Sequence, residues 1–198
     1  TGAFNITGTS TLAGAGLLVT SPRLSLGREA VRPTVKGGAD AVTLGRTGVA
    51  TSFLAFGTGM NGGRRSSDLT RLGQTAFTRI LRRGLDEGVR FLDMADLYGT
   101  HPFVREAVKG VPRDRYTLLT KIWPNKEDWV TPSGGAREEV DRFRRELGTD
   151  TLDVCLIHCM LNERWPEEHA RVLDELSKLK DEGAVRAEGV SCHDHGAH

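Results

Sequence analysis

The sequence predicts an α/β fold in which parallel strands are each followed by a covering helix. Short apolar blocks and segments of helical spacing alternate from residue 53 to residue 191, and Gly residues close the helical segments. Hydrophobic residues at 38% beside 27% charged residues fit a soluble globular chain and argue against a disordered tail or a membrane protein.

The elements follow in order. Phe53-Leu54-Ala55-Phe56, ended by Gly57, is the continuous apolar run expected of a strand buried on both faces. Phe77, Ile80, Leu81 and Leu85 share one helical face, and Gly88 stands where a C-cap is needed. Residues 89–93 form a second strand, 104–108 a short helix before Gly110, and 116–121 a third strand. Val140, Phe143 and Leu147 mark another amphipathic helix, and Leu152 to His158 a fourth strand. A helix carrying Val172, Leu173, Leu176 and Leu179 stops at Gly183, and Val185 to Ser191 is the fifth strand. Strands separated by helices in this way form right-handed βαβ units.

Residues 1–40 differ, being rich in Thr, Ser, Gly and Ala without apolar periodicity. Leu12 to Val19 is too short to span a bilayer and is followed by Ser21-Pro22-Arg23. It resembles the tail of a twin-arginine export signal, which implies a periplasmic or envelope location; the alternative is a flexible extension on a cytoplasmic protein. The domain itself is expected over residues 41–198. Arg64-Arg65 lies inside it and is not the export pair.

A formal charge of +1, from 27 Lys+Arg and 26 Asp+Glu, argues against an electrostatic nucleic-acid binder. Three cysteines without paired zinc spacing imply neither a disulfide framework nor a structural metal. Strand alternation is expected to turn Cys155 and Cys159 away from His158, toward the outer helices. His193, His195 and His198 read as solvated loop residues.

Two architectures compete, an open doubly wound sheet and a (β/α)8 barrel. Gly57 to Gly62 matches G-x-G-x-x-G, the dinucleotide-binding fingerprint. The context fails: residues 63–68 are polar and loop-like, the helix begins only near Gln74, and Arg82 and Arg83 occupy the region where the acidic partner belongs. The barrel instead explains the strand ends. Phe91 shares a face with Asp93, Leu119 with Lys121, and Val154 and Leu156 with His158, so ionisable residues converge at the C-terminal end of an apolar inner face. Buried Asp and Lys are rarely unpaired, which predicts an Asp93–Lys121 ion pair. Tyr98 follows Asp93 in the loop at that end, whereas Tyr116 opens the third strand at the other. An ammonium near the phenol is expected to lower its pKa. The outcome is a proton relay in which Asp93 holds Lys121, Lys121 tunes Tyr98, Tyr98 donates and His158 orients the accepting oxygen.

Leu44-Gly45-Arg46-Thr47-Gly48, Gly57-Thr58-Gly59, Phe91-Leu92-Asp93-Met94-Ala95-Asp96-Leu97-Tyr98-Gly99, Thr120-Lys121-Ile122-Trp123, Leu156-Ile157-His158 and Gly189-Val190-Ser191 resemble the aldo-keto reductase family in its usual order, over residues 42–198. The resemblance implies a TIM-barrel oxidoreductase that reduces aldehydes or ketones by hydride transfer from NADPH, with NADH as the alternative. In it Tyr98 is the general acid, Lys121 and Asp93 support it, His158 positions the carbonyl, and Trp123 faces the substrate. Gly57, Thr58 and Asp93 would lie near the nicotinamide and Ser191 would hold its carboxamide. Cys192 stands where the family commonly has Asn, and a thiol is the weaker donor. Pro102 replaces an acidic residue that many members carry. Leu44 to Gly48 would turn the hairpin that closes the barrel floor.

Barrels of this kind typically need about 250 residues. The reading is therefore a (β/α)8 barrel truncated after about the fifth strand and inactive when expressed alone. The partner implied is a small-molecule carbonyl substrate, with no nucleic acid and no stable membrane span. The rival reading is a non-catalytic nucleotide-binding barrel subunit or an inactive fragment.

Overall fold

The computed structural model describes residues 34–125 and 135–193. The apolar run from Leu12 to Val19, the Ser21-Pro22-Arg23 segment, His195 and His198 lie outside the described residues. Among those described, no helix is long and apolar enough to cross a membrane.

The domain opens with an antiparallel hairpin, β1 (Ala41–Thr43) and β2 (Ala50–Ser52), in which Ala41 pairs with Ser52. Its turn is the expected Leu44 to Gly48 segment, braced by the Thr47 hydroxyl donating to the Leu44 carbonyl at 2.7 Å. Ser52 Oγ accepts the Arg90 and Phe91 amides at 2.9 and 3.1 Å, which ties the hairpin to the start of the main sheet.

That sheet is parallel and runs in chain order: β3 (Ala55–Gly57), β4 (Phe91–Asp93), β5 (Thr117–Ile122), β6 (Leu152–Met160) and β7 (Val185–Cys192). Its first strand is shorter and less covered than the sequence predicts. Phe53 and Leu54 are 60% and 54% exposed. Their amides bond to the Asp40 and Gly38 carbonyls, so they belong to the edge leading out of the hairpin, outside both apolar clusters.

The connections carry α1 (Asp68–Arg71), α2 (Gly73–Asp86), α3 (His101–Ala107), α4 (Ala136–Leu147), α5 (Trp165–Glu168) and α6 (Ala170–Asp181). Gly88 and Gly183 adopt φ of +85° and +79° just past α2 and α6, as the stop signals require. Short α1 carries no apolar periodicity; its Ser67/Thr70 capping box defines it.

Period-2 alternation divides the core in two. Leu92, Leu118, Cys155 and Ile157 pack outward with Phe77 and Leu81 of α2, Val104 of α3, Val140 and Phe143 of α4, and Leu176 and Leu179 of α6. Phe91, Leu119, Val154, Leu156 and Ala187 pack inward, where the apolar residues that join them among the described ones are Val49, Leu44 and Ala55. Helices on one face and a hairpin beneath the other exclude the doubly wound sheet, which has helices on both faces.

The register gives the curvature. Gly57 pairs with Asp93, Asp93 pairs two residues before Lys121, and Lys121 pairs two residues before His158. Ile157 opposite Val190 then sets His158 beside Ser191. The steps are none, two, two and none, averaging one residue per strand, the stagger that closes eight strands at a shear of about eight.

Near its end β6 breaks its own alternation. Cys159 takes a left-handed φ of +67°, the register shifts between Ile157 and Met160, and Met160 enters the outer core in its place. Cys155 is outward and buried as expected, but Cys159 is not packed among the outer helices: the bulge carries it off that face.

Candidate active site

Asp93 ends β4, and its carboxylate takes the Lys121 ammonium from β5 as a direct ion pair. Lys121 Nζ also donates to the Met94 carbonyl at 2.8 Å. The lysine side chain is 5% exposed and the aspartate 26%. Burial therefore lowers the lysine pKa, with Asp93 opposing the shift.

Tyr98 closes a 3-10 turn over Asp96–Tyr98, which Gly99 ends in a left-handed conformation. Its hydroxyl lies 3.5 Å from His158 Nε2, with the rings edge to face and their centroids 5.7 Å apart. Lys121 Nζ stands 5.2 Å from the centre of the Tyr98 ring. The Trp123 ring meets His158 edge-on at 5.6 Å. Trp123 Nε1 and His158 Nδ1 are both buried and have no hydrogen-bond partner among the described residues.

Electrostatics overturns one expectation. The Tyr98 phenol is pushed up to about 12 by burial, with Asp93 and Cys159 adding to the effect. These effects outweigh the nearby ammonium, which is itself paired with Asp93. His158 is driven down to about 3, first by burial and then by Lys121 and His193, so its ring is neutral at physiological pH.

The expected cofactor contacts divide. Gly57 is exposed, and a side chain there would meet open space. Thr58 is buried, its hydroxyl donating to the Asp93 carbonyl at 2.8 Å and lying 3.1 Å from Thr100 Oγ1, so it braces the strand end. Ser191 stands beside His158, and its oxygen accepts the Cys159 amide at 2.9 Å. Cys192 packs against the outer core, one residue out of phase with Ser191.

Sequence reasoning missed a polar chain that runs from the Tyr98 turn through buried Asp96 and His101. Asp96, 3% exposed, accepts Arg65 at 3.1 Å and Arg142 at 3.0 Å. Arg142 continues to Glu146 at 2.9 Å, and Glu146 meets His101 Nδ1 at 2.7 Å while His101 Nε2 lies 2.7 Å from Thr120 Oγ1. Burial alone would raise Glu146, but the His101 hydrogen bond and the Arg142 charge outweigh it and hold the carboxyl at about 2. The available signal was an Asp within the Tyr98 motif and an Arg on the inward side of α4.

The model of the Aldo/keto reductase family matches residues 54–197. Aldo-keto reductase YhdN of Bacillus subtilis (strain 168) is 32% identical over 163 residues, covering 73% of this chain and 44% of that protein. An aldo-keto reductase of Mycobacterium sp. (strain MCS) is 31% identical over 125 residues, covering 60% of this chain and 41% of the relative. The chain thus spans about two fifths of the length of these curated relatives. Among solved structures, the holo form of an aldo-keto reductase from Bacillus halodurans superposes with a TM-score of 0.60 at 26% identity, over 77% of this chain and 50% of that one. An aldo-keto reductase from Klebsiella pneumoniae in complex with NADPH gives 0.53 at 25% identity, over 72% and 46%.

Proposed function

Because the chain belongs to the aldo/keto reductase family, we propose that it acts as an NADPH-dependent carbonyl reductase with Tyr98 as its general acid. One observation carries this reading: the Tyr98 hydroxyl, His158 Nε2 and the Lys121–Asp93 pair converge at the C-terminal ends of successive inner-face strands.

The residues present fit a nicotinamide. Gly57 leaves space at the strand end, Ser191 lies at the same level as His158, and two buried ring nitrogens lack partners among the described residues. When bound, the cofactor supplies the hydride.

The chain's own residues would handle the oxygen and its proton. A separation of 3.5 Å is the outer limit of a hydrogen bond, so the Tyr98 proton is not committed to His158. A carbonyl oxygen held between them would accept from both. Neutral His158 donates when its proton sits on Nε2, the tautomer that leaves only a lone pair unpartnered at Nδ1. Tyr98 keeps its proton throughout the neutral range and gives it up as negative charge grows on the oxygen, because an alkoxide is more basic than a phenolate. Lys121 then stabilises the phenolate, and Asp93 keeps the ammonium charged and in place.

Following NADPH oxidation against a panel of aldehydes and ketones, in a protein that carries these residues within a complete barrel, tests the reading. Turnover that disappears in Tyr98→Phe supports it. NADPH binding without turnover of any carbonyl would favour the nucleotide-binding barrel subunit instead.

A further inference from the structure

The Gly57-to-Gly62 motif resembles a phosphate-binding loop, but two of its amides, and that of Gly63 just after it, are already bonded to backbone carbonyls. The Thr58 amide donates to the Asp93 carbonyl, Gly62 to the Gly59 carbonyl at 2.8 Å, and Gly63 to Ser66 at 2.9 Å. The glycines face a side chain instead. A Cβ on Gly59 would overlap Cζ, Cε2 and Cδ2 of Tyr98, and one on Gly62 would stand 2.5 Å from Cδ1, 3.1 Å from Cε1 and 2.8 Å from the Gly59 carbonyl oxygen of the same turn. The backbone of this turn therefore lies directly against both halves of the Tyr98 ring. Gly63, the next residue, has open space where its side chain would be.

A backbone contact fixes a ring only when the backbone is itself fixed. Asn61, Arg64 and Arg65 all hold left-handed φ of 48°, 49° and 55°, a strained run that needs an anchor. One anchor is the Asp68 amide, which donates to the Met60 carbonyl at 2.9 Å. Another is Arg65, whose guanidinium meets buried Asp96, two residues before Tyr98 in the same turn, while Arg142 of α4 holds the same carboxylate oxygen. The Arg65 carbonyl occupies the place that a side chain on Gly99 would need, so the loop also bears on the residue after Tyr98.

We propose that the Gly59–Gly62 turn is a seat for the Tyr98 ring, latched by the Arg65–Asp96–Arg142 bridge, and that Arg65 and Asp96 are positioning residues for the phenol. The use of that phenol rests on the carbonyl reductase reading, but the seat does not.

The chain has two tyrosines, so Tyr116→Phe leaves Tyr98 as the only ring signal in protein grown with ring-labelled tyrosine. NMR of this chain at 25 °C reads the ring-flip rate. In the seat the two ring edges exchange slowly, giving doubled or broadened resonances. Gly62→Ala displaces the ring and spreads the turn that seats it, and Arg65→Gly, which suits the left-handed backbone, releases the latch; each speeds flipping by at least about tenfold. Gly63→Ala and Arg65→Lys keep the parent behaviour. A sharp averaged signal in the parent overturns the proposal, as do indistinguishable spectra for Gly62→Ala and Gly63→Ala. Should Arg65→Gly fail to fold, the alanine pair still decides.

In the reductase assay, Gly62→Ala should lower kcat about a hundredfold with little change in KM, and Gly63→Ala should lower neither. A slow ring in a protein that reduces no carbonyl would leave the seat standing and defeat only the functional reading. A working reductase with a freely flipping Tyr98 would do the reverse.

Discussion

Tyr98 and His158 meet edge to face with the phenol oxygen 3.5 Å from Nε2, near enough to share one acceptor and too far to satisfy each other well. Tyr98→Phe keeps that edge contact and removes only the hydroxyl. Carbonyl reduction is expected to fall by roughly two to four orders of magnitude. NADPH affinity, followed by fluorescence, should be nearly unchanged, because the phenol acts on the developing alkoxide. Near wild-type turnover in the variant, with chemistry rate-limiting, would remove Tyr98 from the role.

Stability should depend on pH through His158. Its folded pKa of about 3 lies below the ordinary 6.5, so between those values the unfolded chain takes up a proton that the folded chain refuses. The stabilisation is complete above about 6.5 and is lost as pH falls toward about 3, at no more than about 1.4 kcal/mol per pH unit. Urea titrations at pH 7, 6, 5 and 4 should show this slope reduced by one proton in His158→Gln. Equal slopes in the two proteins would mean that the imidazole is not held neutral.

The two halves of the Asp93–Lys121 pair should not be equivalent. Lys121 is 5% exposed and Asp93 26%, so removing the carboxylate strands the more deeply buried charge. Asp93→Asn is expected to cost about 3 kcal/mol. Lys121→Met leaves a partly hydrated carboxylate and should cost about 1 kcal/mol. Urea midpoints in the opposite order would contradict the burial assigned to the pair.

At the β6 bulge, Cys159→Val should cost about 1–2 kcal/mol, since a branched side chain opposes the left-handed φ of +67°. Cys159→Gly should be neutral or stabilising in a thermal melt. If valine melts no lower than glycine, the bulge is not left-handed in solution.

Alternation alone located Asp93, Lys121 and His158 on one face, because a strand with one apolar face puts its odd polar residue where the register dictates. Tyr98 could be placed by its short distance from Asp93. Cys159 could not, because a left-handed non-glycine residue carries no compositional mark. Phe53 and Leu54 misled for a related reason: an apolar run records what could be buried, and here the covering layer does not reach them. The shift on Tyr98 depends on how desolvation and two opposed charges balance, which no spacing encodes. The Arg65–Asp96–Arg142 bridge joins a loop, a turn and a helix far apart in the chain, and the glycines beside it matched a different motif.

The stagger from Gly57 to Ser191 advances only in even steps, and this makes the site sensitive to chain length more than to residue identity. Deleting one residue between Thr117 and Lys121 would send the ammonium into the outer helices while Asp93 and His158 stayed in place. Insertions between the strands shift no parity. Variation in length among descendants of this sequence should therefore gather in the segments after each strand, where new substrate surfaces can be built without disturbing the residues beneath them.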